Sequence, residues 1–102
     1  MKTLNKTQIK TVDVNAREWF DRINGNSYFA GSVTVNYGYS DSIKINMPFQ
    51  YGYGDSYTYE AIKLLNEAGY TEAKHIQDLR DENIILRYNI QRGCKKRDLK
   101  NF

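Results

Sequence analysis

The sequence predicts an α+β domain in which one main helix packs on one face of a small antiparallel or mixed sheet. Two segments of alternating apolar and polar residues, separated by a polar turn, predict a β-hairpin over positions 27–50. An apolar stripe at helical spacing follows over 56–68, and a third alternating segment covers 84–91. The predicted order is β-(α)-β-β-α-(α)-β, where the parentheses mark short helices.

The length of the chain sets the number of domains. Its 102 residues fit one domain, 1–102, because most domains hold about 100 to 150 residues. We expect positions 1–6 and 93–102 to be flexible tails, because chain ends are poorly ordered unless something holds them.

The first 25 residues predict a strand and a short helix. The β-branched residues over 7–14 alternate in part, which is typical of a strand. Asn15 has the character of a helix N-cap, and Glu18 is placed to reach back to it. The expected helix covers 16–23 and ends at Gly25, and it is short enough to need packing for its stability.

The central hairpin has one apolar face and one polar face. In its first strand, 27–37, we expect a buried row made of Phe29, Gly31, Val33, Val35 and Tyr37. In its second strand, 43–50, the corresponding buried row is Ile43, Ile45, Met47 and Phe49. Pro48 has no N–H to give to a ladder, so this strand is expected at an edge or bulged at that point.

The stretch 48–60 joins the hairpin to the main helix. Gly52 and Gly54 allow the chain to turn where strand becomes helix. Asp55 or Ser56 is a suitable N-cap for that helix. The simplest expectation for this stretch is therefore a structural junction between strand and helix.

The last third of the chain predicts one more short helix and a closing strand. The main helix is expected to end near residue 68, because Gly69 is a natural left-handed terminator. A weaker helix is predicted over 71–81 and a strand over 84–91.

Composition and charge bound the class of protein. The net charge of +3 and the pI near 9.0 permit contact with nucleic acid or another anion without demanding it. The single cysteine, Cys94, cannot form an internal disulfide, which fits a reducing cytoplasm. No apolar run approaches the roughly 20 residues of a membrane span. We therefore expect a cytoplasmic protein with no membrane partner.

No motif predicts catalysis, a cofactor or a bound metal. One histidine, His75, and one cysteine cannot provide a zinc site. The sequence Gly-Tyr-Gly over 52–54 precedes a helix as phosphate-binding loops do, but Tyr57 occupies the place of the third glycine. Asp55 would also put a negative charge where a phosphate would lie. A weaker hypothesis is a small nuclease, whose available carboxylates are Asp41, Asp55 and Glu60.

Exposed tyrosines and positive charge are the features that predict a function. Tyr51, Tyr53 and Tyr59 need no place in the core, and such side chains make good contacts to bases or to protein. Trp19 is expected chiefly as a core anchor. A basic C-terminal stretch is suited to phosphates or an acidic partner, through Arg87, Arg92, Lys95, Lys96, Arg97 and Lys100.

Part of the chain resembles a group of phage proteins. The residues that carry the resemblance follow the pattern W-F-x-R…G-N-S-Y…F-x-Y-G-Y-G-D-x-Y, which lies within 19–57. This pattern is similar to that of small uncharacterised proteins from bacteriophage genomes. The resemblance implies an infected bacterial cytoplasm, and action by binding to host defence components, nucleic acid or signalling nucleotides. It also makes Asn26 and Tyr28 candidates, although their alternative role is turn formation.

The sequence thus predicts a small non-catalytic binding protein, with an anti-defence role among the possibilities. Its expected partner is anionic, either nucleic acid or a nucleotide. The alternative is a protein-binding inhibitor of a host protein, or an oligomeric accessory protein, that uses the same aromatic surface. The candidate binding residues are Arg22, Asn26, Tyr28, Tyr51, Tyr53, Tyr59, Arg92, Lys95, Lys96 and Arg97.

Overall fold

A four-stranded mixed sheet forms the frame of the molecule. The computed structural model describes residues 9–100. The strands have the order β3-β2-β1-β4, and β1 is antiparallel to β2 and parallel to β4. The predicted α+β class is confirmed, and so is the main helix on one sheet face. The elements are β1 (Thr11–Asp21), β2 (Asn26–Val35), β3 (Ile43–Tyr51), α1 (Ser56–Glu67), α2 (Asp78–Asp81), β4 (Ile85–Gln91) and a C-terminal 3-10 helix (Lys96–Lys100).

The face of the sheet that α1 covers, called the α1 face, holds the core. Val12 pairs with Val35 and Val14 pairs with Val33, and all four side chains are fully buried. Burying each such side chain stabilises the fold by about 1.5–3 kcal/mol. A one-residue slip in register would move all of them to the other face, so this row fixes the register. Helix α1 adds to the same cluster Tyr57, Ala61, Ile62 and Leu65.

The predicted helix over 16–23 is wrong. These residues continue β1 as far as Asp21. Because β1 is hydrogen-bonded to a strand on each side, long-range pairing outweighs the local capping pattern of Asn15 and Glu18. Gly25 therefore ends no helix. It has a φ of 71° and closes the β1–β2 turn, where its N–H donates to the carbonyl of Asp21 at 2.7 Å.

The end of β2 is held to the start of β1 by an asparagine. Asn36 is fully buried and has a φ of 54°. Its Oδ1 accepts the N–H groups of Lys10 at 2.6 Å and Thr11 at 3.3 Å. The strand ends at Val35, and Tyr37, which the alternation placed in the buried row, is 67% exposed.

The second strand of the hairpin contains a bulge. β3 lies at an edge of the sheet, as Pro48 indicated. The register shifts between Phe29 and Gly31, so that Phe29 pairs with Gln50 and β3 holds one extra residue. The extra residue moves Phe49 out of the predicted buried row and onto the opposite face.

The helical region after β3 is shorter than predicted. Gly69 follows the end of α1 with a φ of 83°, as expected of a left-handed terminator. The predicted helix over 71–81 is reduced to the single turn α2. The hydroxyl of Thr71 accepts the N–H of Ala73 at 3.0 Å, a local bond that competes with helix formation.

The C-terminal residues lie against the sheet. Residues 96–100 form the 3-10 helix, in which Leu99 is 3% exposed. The N–H of Cys94 donates to the carbonyl of Glu18 at 3.1 Å. These contacts lie in the segment from residue 93 onward that was expected to be a flexible tail, and its flexibility stays a prediction. Positions 1–6 and 101–102 lie outside the described residues. Within residues 9–100, no helix is long and apolar enough to cross a membrane.

Candidate functional site

The face of the sheet opposite α1, called the distal face, carries the candidate site. Because side chains alternate along β1, Asp13, Asn15, Arg17 and Trp19 lie on this face. Along the direction of the strands, this face has three parts in succession: a polar end, a middle part beneath the C-terminal 3-10 helix, and an aromatic end. The 3-10 helix contacts both β1 and β2, which accounts for the burial of Ala30 on this face.

Four rings from three neighbouring strands meet at the aromatic end and form what we call the aromatic cluster. Tyr28 is at its centre, stacked on Trp19 with ring centroids 5.5 Å apart and on Phe49 at 5.1 Å. Tyr51 meets Tyr28 edge-on at 5.9 Å. Such ring pairs contribute about 0.5–1.5 kcal/mol beyond the area that they bury. The cluster is therefore ordered by its own contacts.

The aromatic cluster offers apolar surface to solvent. Tyr51 is 61% exposed and Phe49 is 40% exposed, and the other two rings are half-buried. Exposed aromatic patches are a common feature of surfaces that bind a partner. A flat sheet face with several accessible rings is suited to planar, stackable groups.

Positive charge lies beside these rings. The Lys96 Nζ is 5.5 Å from the centroid of the Trp19 ring, within the range of a cation–π interaction. Arg22 and Lys95 line a neighbouring depression of about 480 Å³ that also includes Trp19. The described cations and rings thus share one region of the surface.

The fold fixes the position of Lys96. Arg17, on the distal face, donates from Nη1 to the carbonyl of Asp98 at 2.9 Å. The Asp98 carboxylate in turn accepts the N–H of Lys95 at 2.9 Å. With Leu99 buried, these bonds hold the 3-10 helix, and with it the Lys96 ammonium, next to the cluster.

Asp21, the acidic side chain that lines the depression beside the aromatic cluster, is engaged in a turn. Asp21 accepts hydrogen bonds from the Asn24 side chain at 2.8 Å and from the Ile23 N–H at 3.0 Å. The Asn24 bond is the main cause that lowers the pKa of the Asp21 carboxyl below its usual value. This carboxylate therefore serves the β1–β2 turn.

The structure brings half of the sequence-predicted residues to the aromatic end. Tyr28 and Tyr51 are in the cluster, and Arg22, Lys95 and Lys96 surround it.

Two more predicted residues lie close to this region. Asn26 begins β2 on the same face, paired with Asp21. Arg97 is exposed in the 3-10 helix.

The other predicted residues lie elsewhere. Tyr59 is on α1, on the opposite side of the sheet, with its ring edge toward His75. Tyr53 is in the loop between β3 and α1. Arg92 forms an ion pair with Glu18 at 3.0 Å. The sequence prediction chose these three residues for their exposed or charged character, but the structure does not bring them together in one site.

Two members of the cluster were missed by the sequence prediction. Trp19 was expected as a core anchor, because the helix predicted around it hid its alternation with the buried residues of β1. Phe49 was assigned to the buried row, because the alternation was continued through the bulge. Pro48 was the available signal, since a bulge at that residue reverses the faces of the residues after it.

The polar end of the distal face is built from paired side chains. Arg87 and Asp13 form an ion pair at 2.6 Å between β4 and β1. One step along the same strands, the Asn89 Nδ2 donates to the Asn15 Oδ1 at 2.9 Å. Across the part of the chain that the structure describes, no three His, Cys, Asp or Glu side chains are placed to hold a metal ion.

No family model, curated protein or solved structure matches this chain. The resemblance to bacteriophage proteins therefore stays a prediction, and so does the anti-defence role that it implies.

Proposed function

We propose that this protein is a non-catalytic binding protein that holds single-stranded nucleic acid on the distal face of its sheet. The observation that carries the proposal is the aromatic cluster, four adjoining rings on the face opposite α1, with the Lys96 ammonium beside Trp19. Stacking rings beside positive charge is the combination that single-strand-binding surfaces use.

The rings favour single strands over a duplex. In a duplex the faces of the bases are stacked on each other, whereas in a single strand they are available to aromatic side chains. Every base has such a face, so stacking alone gives affinity with little sequence preference. The exposed Tyr51 and Phe49 are the rings most accessible to incoming bases.

The charges supply the second part of the binding energy. Arg22, Lys95 and Lys96 are exposed and lie beside the cluster. If each contacts one phosphate, the logarithm of the binding constant falls by about 2 for each tenfold rise in salt, since each contact to a single strand contributes about 0.7. Between about 50 and 200 mM salt, this corresponds to a loss of roughly 15-fold in affinity.

Binding of a labelled single strand, followed by fluorescence anisotropy, tests the proposal. Tyr51→Ala should weaken binding about 10-fold, because stacking on one ring contributes about 1–3 kcal/mol per base. Tyr59→Ala is the matched control, because Tyr59 has the same 61% exposure and lies on the other side of the sheet.

Two results would contradict the proposal. One is the absence of binding to DNA or RNA single strands at about 50 mM salt, where electrostatic attraction is strong. The other is an equal loss of affinity in both tyrosine variants. Tight binding to a duplex that is insensitive to Tyr51→Ala would also point to a different mode of recognition.

A further inference from the structure

We infer that the polar end of the distal face reads the edge of one base of the bound strand, and that it prefers adenine to thymine. The inference rests on the proposed function, because the aromatic cluster holds the strand whose base is read. It assigns a base-specific role to residues that lie apart from the cluster, foremost Asn15 and Asn89.

The polar end has the size of a small-molecule site. A shallow depression of about 380 Å³ lies there, lined by side chains of β1, β2 and β4 and by Tyr37. Sites for small ligands commonly measure about 300–1,000 Å³. A single unstacked base fits such a space.

Two amides at the floor of this depression are held in a fixed arrangement. Asn15 and Asn89 are register partners on adjacent parallel strands. The Asn89 Nδ2 donates to the Asn15 Oδ1 at 2.9 Å. The bond orients both amides and directs the remaining N–H donors of Asn15 and the carbonyl oxygen of Asn89 to other partners. The residues described in the structure supply no such partner, and both side chains are exposed.

The walls of the depression complete a base site. The Arg87–Asp13 ion pair also lines the depression. Tyr37 contributes a ring that is 67% exposed. Unstacked bases are recognised by this combination of an aromatic face and hydrogen bonds to the base edge.

The chemistry of the amides favours a base that carries an amino group next to a ring nitrogen, which adenine has and thymine lacks. Adenine presents an amino donor next to a ring-nitrogen acceptor, and asparagine amides are the side chains that match this pair. Thymine has carbonyl oxygens and no amino group, so the Asn89 oxygen loses the partner that adenine provides. A matched contact of this kind gives about 1–3 kcal/mol of discrimination, or roughly 10-fold in affinity.

The base that is read is not a neighbour of the bases that stack on Trp19. Asn15 and Trp19 are four positions apart on β1, which is about 13 Å at the usual rise of a strand. The bound nucleic acid has to pass the 3-10 helix, which lies between Asn15 and Trp19. A probe must therefore span several nucleotides to occupy both ends.

The experiment compares labelled oligodeoxynucleotides of about ten nucleotides, a length within the usual range of single-strand sites. One is made of adenine alone and one of thymine alone, and anisotropy gives the affinity of each. The wild-type protein should bind the adenine strand about 10-fold more tightly. The double variant Asn15→Ala with Asn89→Ala should bind both strands equally, with its affinity for the thymine strand unchanged.

The control is Asn46→Ala, an exposed asparagine on β3 that lies outside the depression. It should keep the preference for adenine. An adenine preference that survives the double variant would overturn the inference, because it would come from the stiffness of the adenine strand itself. Equal affinity of the wild-type protein for both strands would also overturn it while leaving the proposed function standing. Failure to bind either strand would overturn both.

Discussion

The docking of the C-terminal 3-10 helix depends on one leucine, and Leu99→Ala should release it. Leu99 is 3% exposed and lies outside the main core cluster. Two hydrogen bonds also hold this segment: Arg17 donates to the Asp98 carbonyl at 2.9 Å and the Cys94 N–H donates to the Glu18 carbonyl at 3.1 Å. Each of these contributes only about 0.5–1.5 kcal/mol, or somewhat more where a charge is involved.

The size of the effect follows from where Leu99 lies. Burying a leucine side chain stabilises by about 1.5–3 kcal/mol. A truncated leucine in a closed core costs more, because a cavity remains. Here the segment is a short 3-10 helix that lies on the surface of the sheet and can detach from it, so the free energy of transferring the leucine side chain to water dominates the cost. We expect a loss of about 2 kcal/mol, which lowers the docking equilibrium constant about 30-fold.

Native-state hydrogen exchange at the Cys94 amide measures this docking directly, because that N–H is bonded only when the segment lies on β1. Its protection should fall about 30-fold in Leu99→Ala. Leu64→Ala, which truncates a half-buried leucine of α1, is the matched control and should leave this protection unchanged. If Leu99→Ala exchanges at the wild-type rate, the buried leucine does not hold the segment, and the fixed position of Lys96 loses its explanation.

Two further predictions concern the junction between β3 and α1. In Gly52→Ala the new Cβ would lie 2.6 Å from the ring of the buried Phe29 and 2.9 Å from the Ser56 Cβ. We therefore expect the free energy of unfolding, measured with urea, to fall by about 1–3 kcal/mol. An unchanged urea midpoint would refute this packing. Burial is the main cause that raises the pKa of the Tyr57 hydroxyl above 10.0. The neutral hydroxyl therefore stabilises the fold fully below pH 10.0, and this stabilisation is lost as the pH rises through the raised pKa. Tyr57→Phe should therefore flatten the alkaline decline of stability, whereas the exposed Tyr53→Phe should not, and identical pH profiles for the two variants would contradict the assignment.

The hairpin and the main helix were predictable because their signals are local. The alternation over 43–47 reports which face of β3 is turned to the core, where Met47 is buried, although Ile43 at the edge of the sheet is 40% exposed. The stripe of α1 likewise marks buried residues, namely Tyr57, Ala61 and Leu65. Gly69 marks the helix end through its own backbone conformation. These features depend on residues that are close together in the sequence, so the local sequence pattern is enough to predict them.

The features that were missed depend on contacts distant in sequence. Asn15 and Glu18 form a plausible capping pattern, but Asn15 pairs with both β2 and β4, and Glu18 pairs with β2, which makes them part of β1. Phe49 changes face because a bulge opposite Phe29 inserts one residue. Leu99 docks on strands that precede it by about 70 to 80 positions. A periodic pattern within one short segment cannot show which distant residues that segment will contact.

The chain has one tryptophan, Trp19, and it belongs to the aromatic cluster that the proposal places in contact with bases. Titration of its fluorescence with a single-stranded oligonucleotide is therefore the most direct test of the central claim. We predict saturable quenching at about 50 mM salt, and the affinity obtained from the titration should fall roughly 15-fold at about 200 mM salt. The affinity should also fall in Tyr51→Ala but not in Tyr59→Ala. Emission that stays constant throughout the titration would contradict the claim that the distal face binds single-stranded nucleic acid.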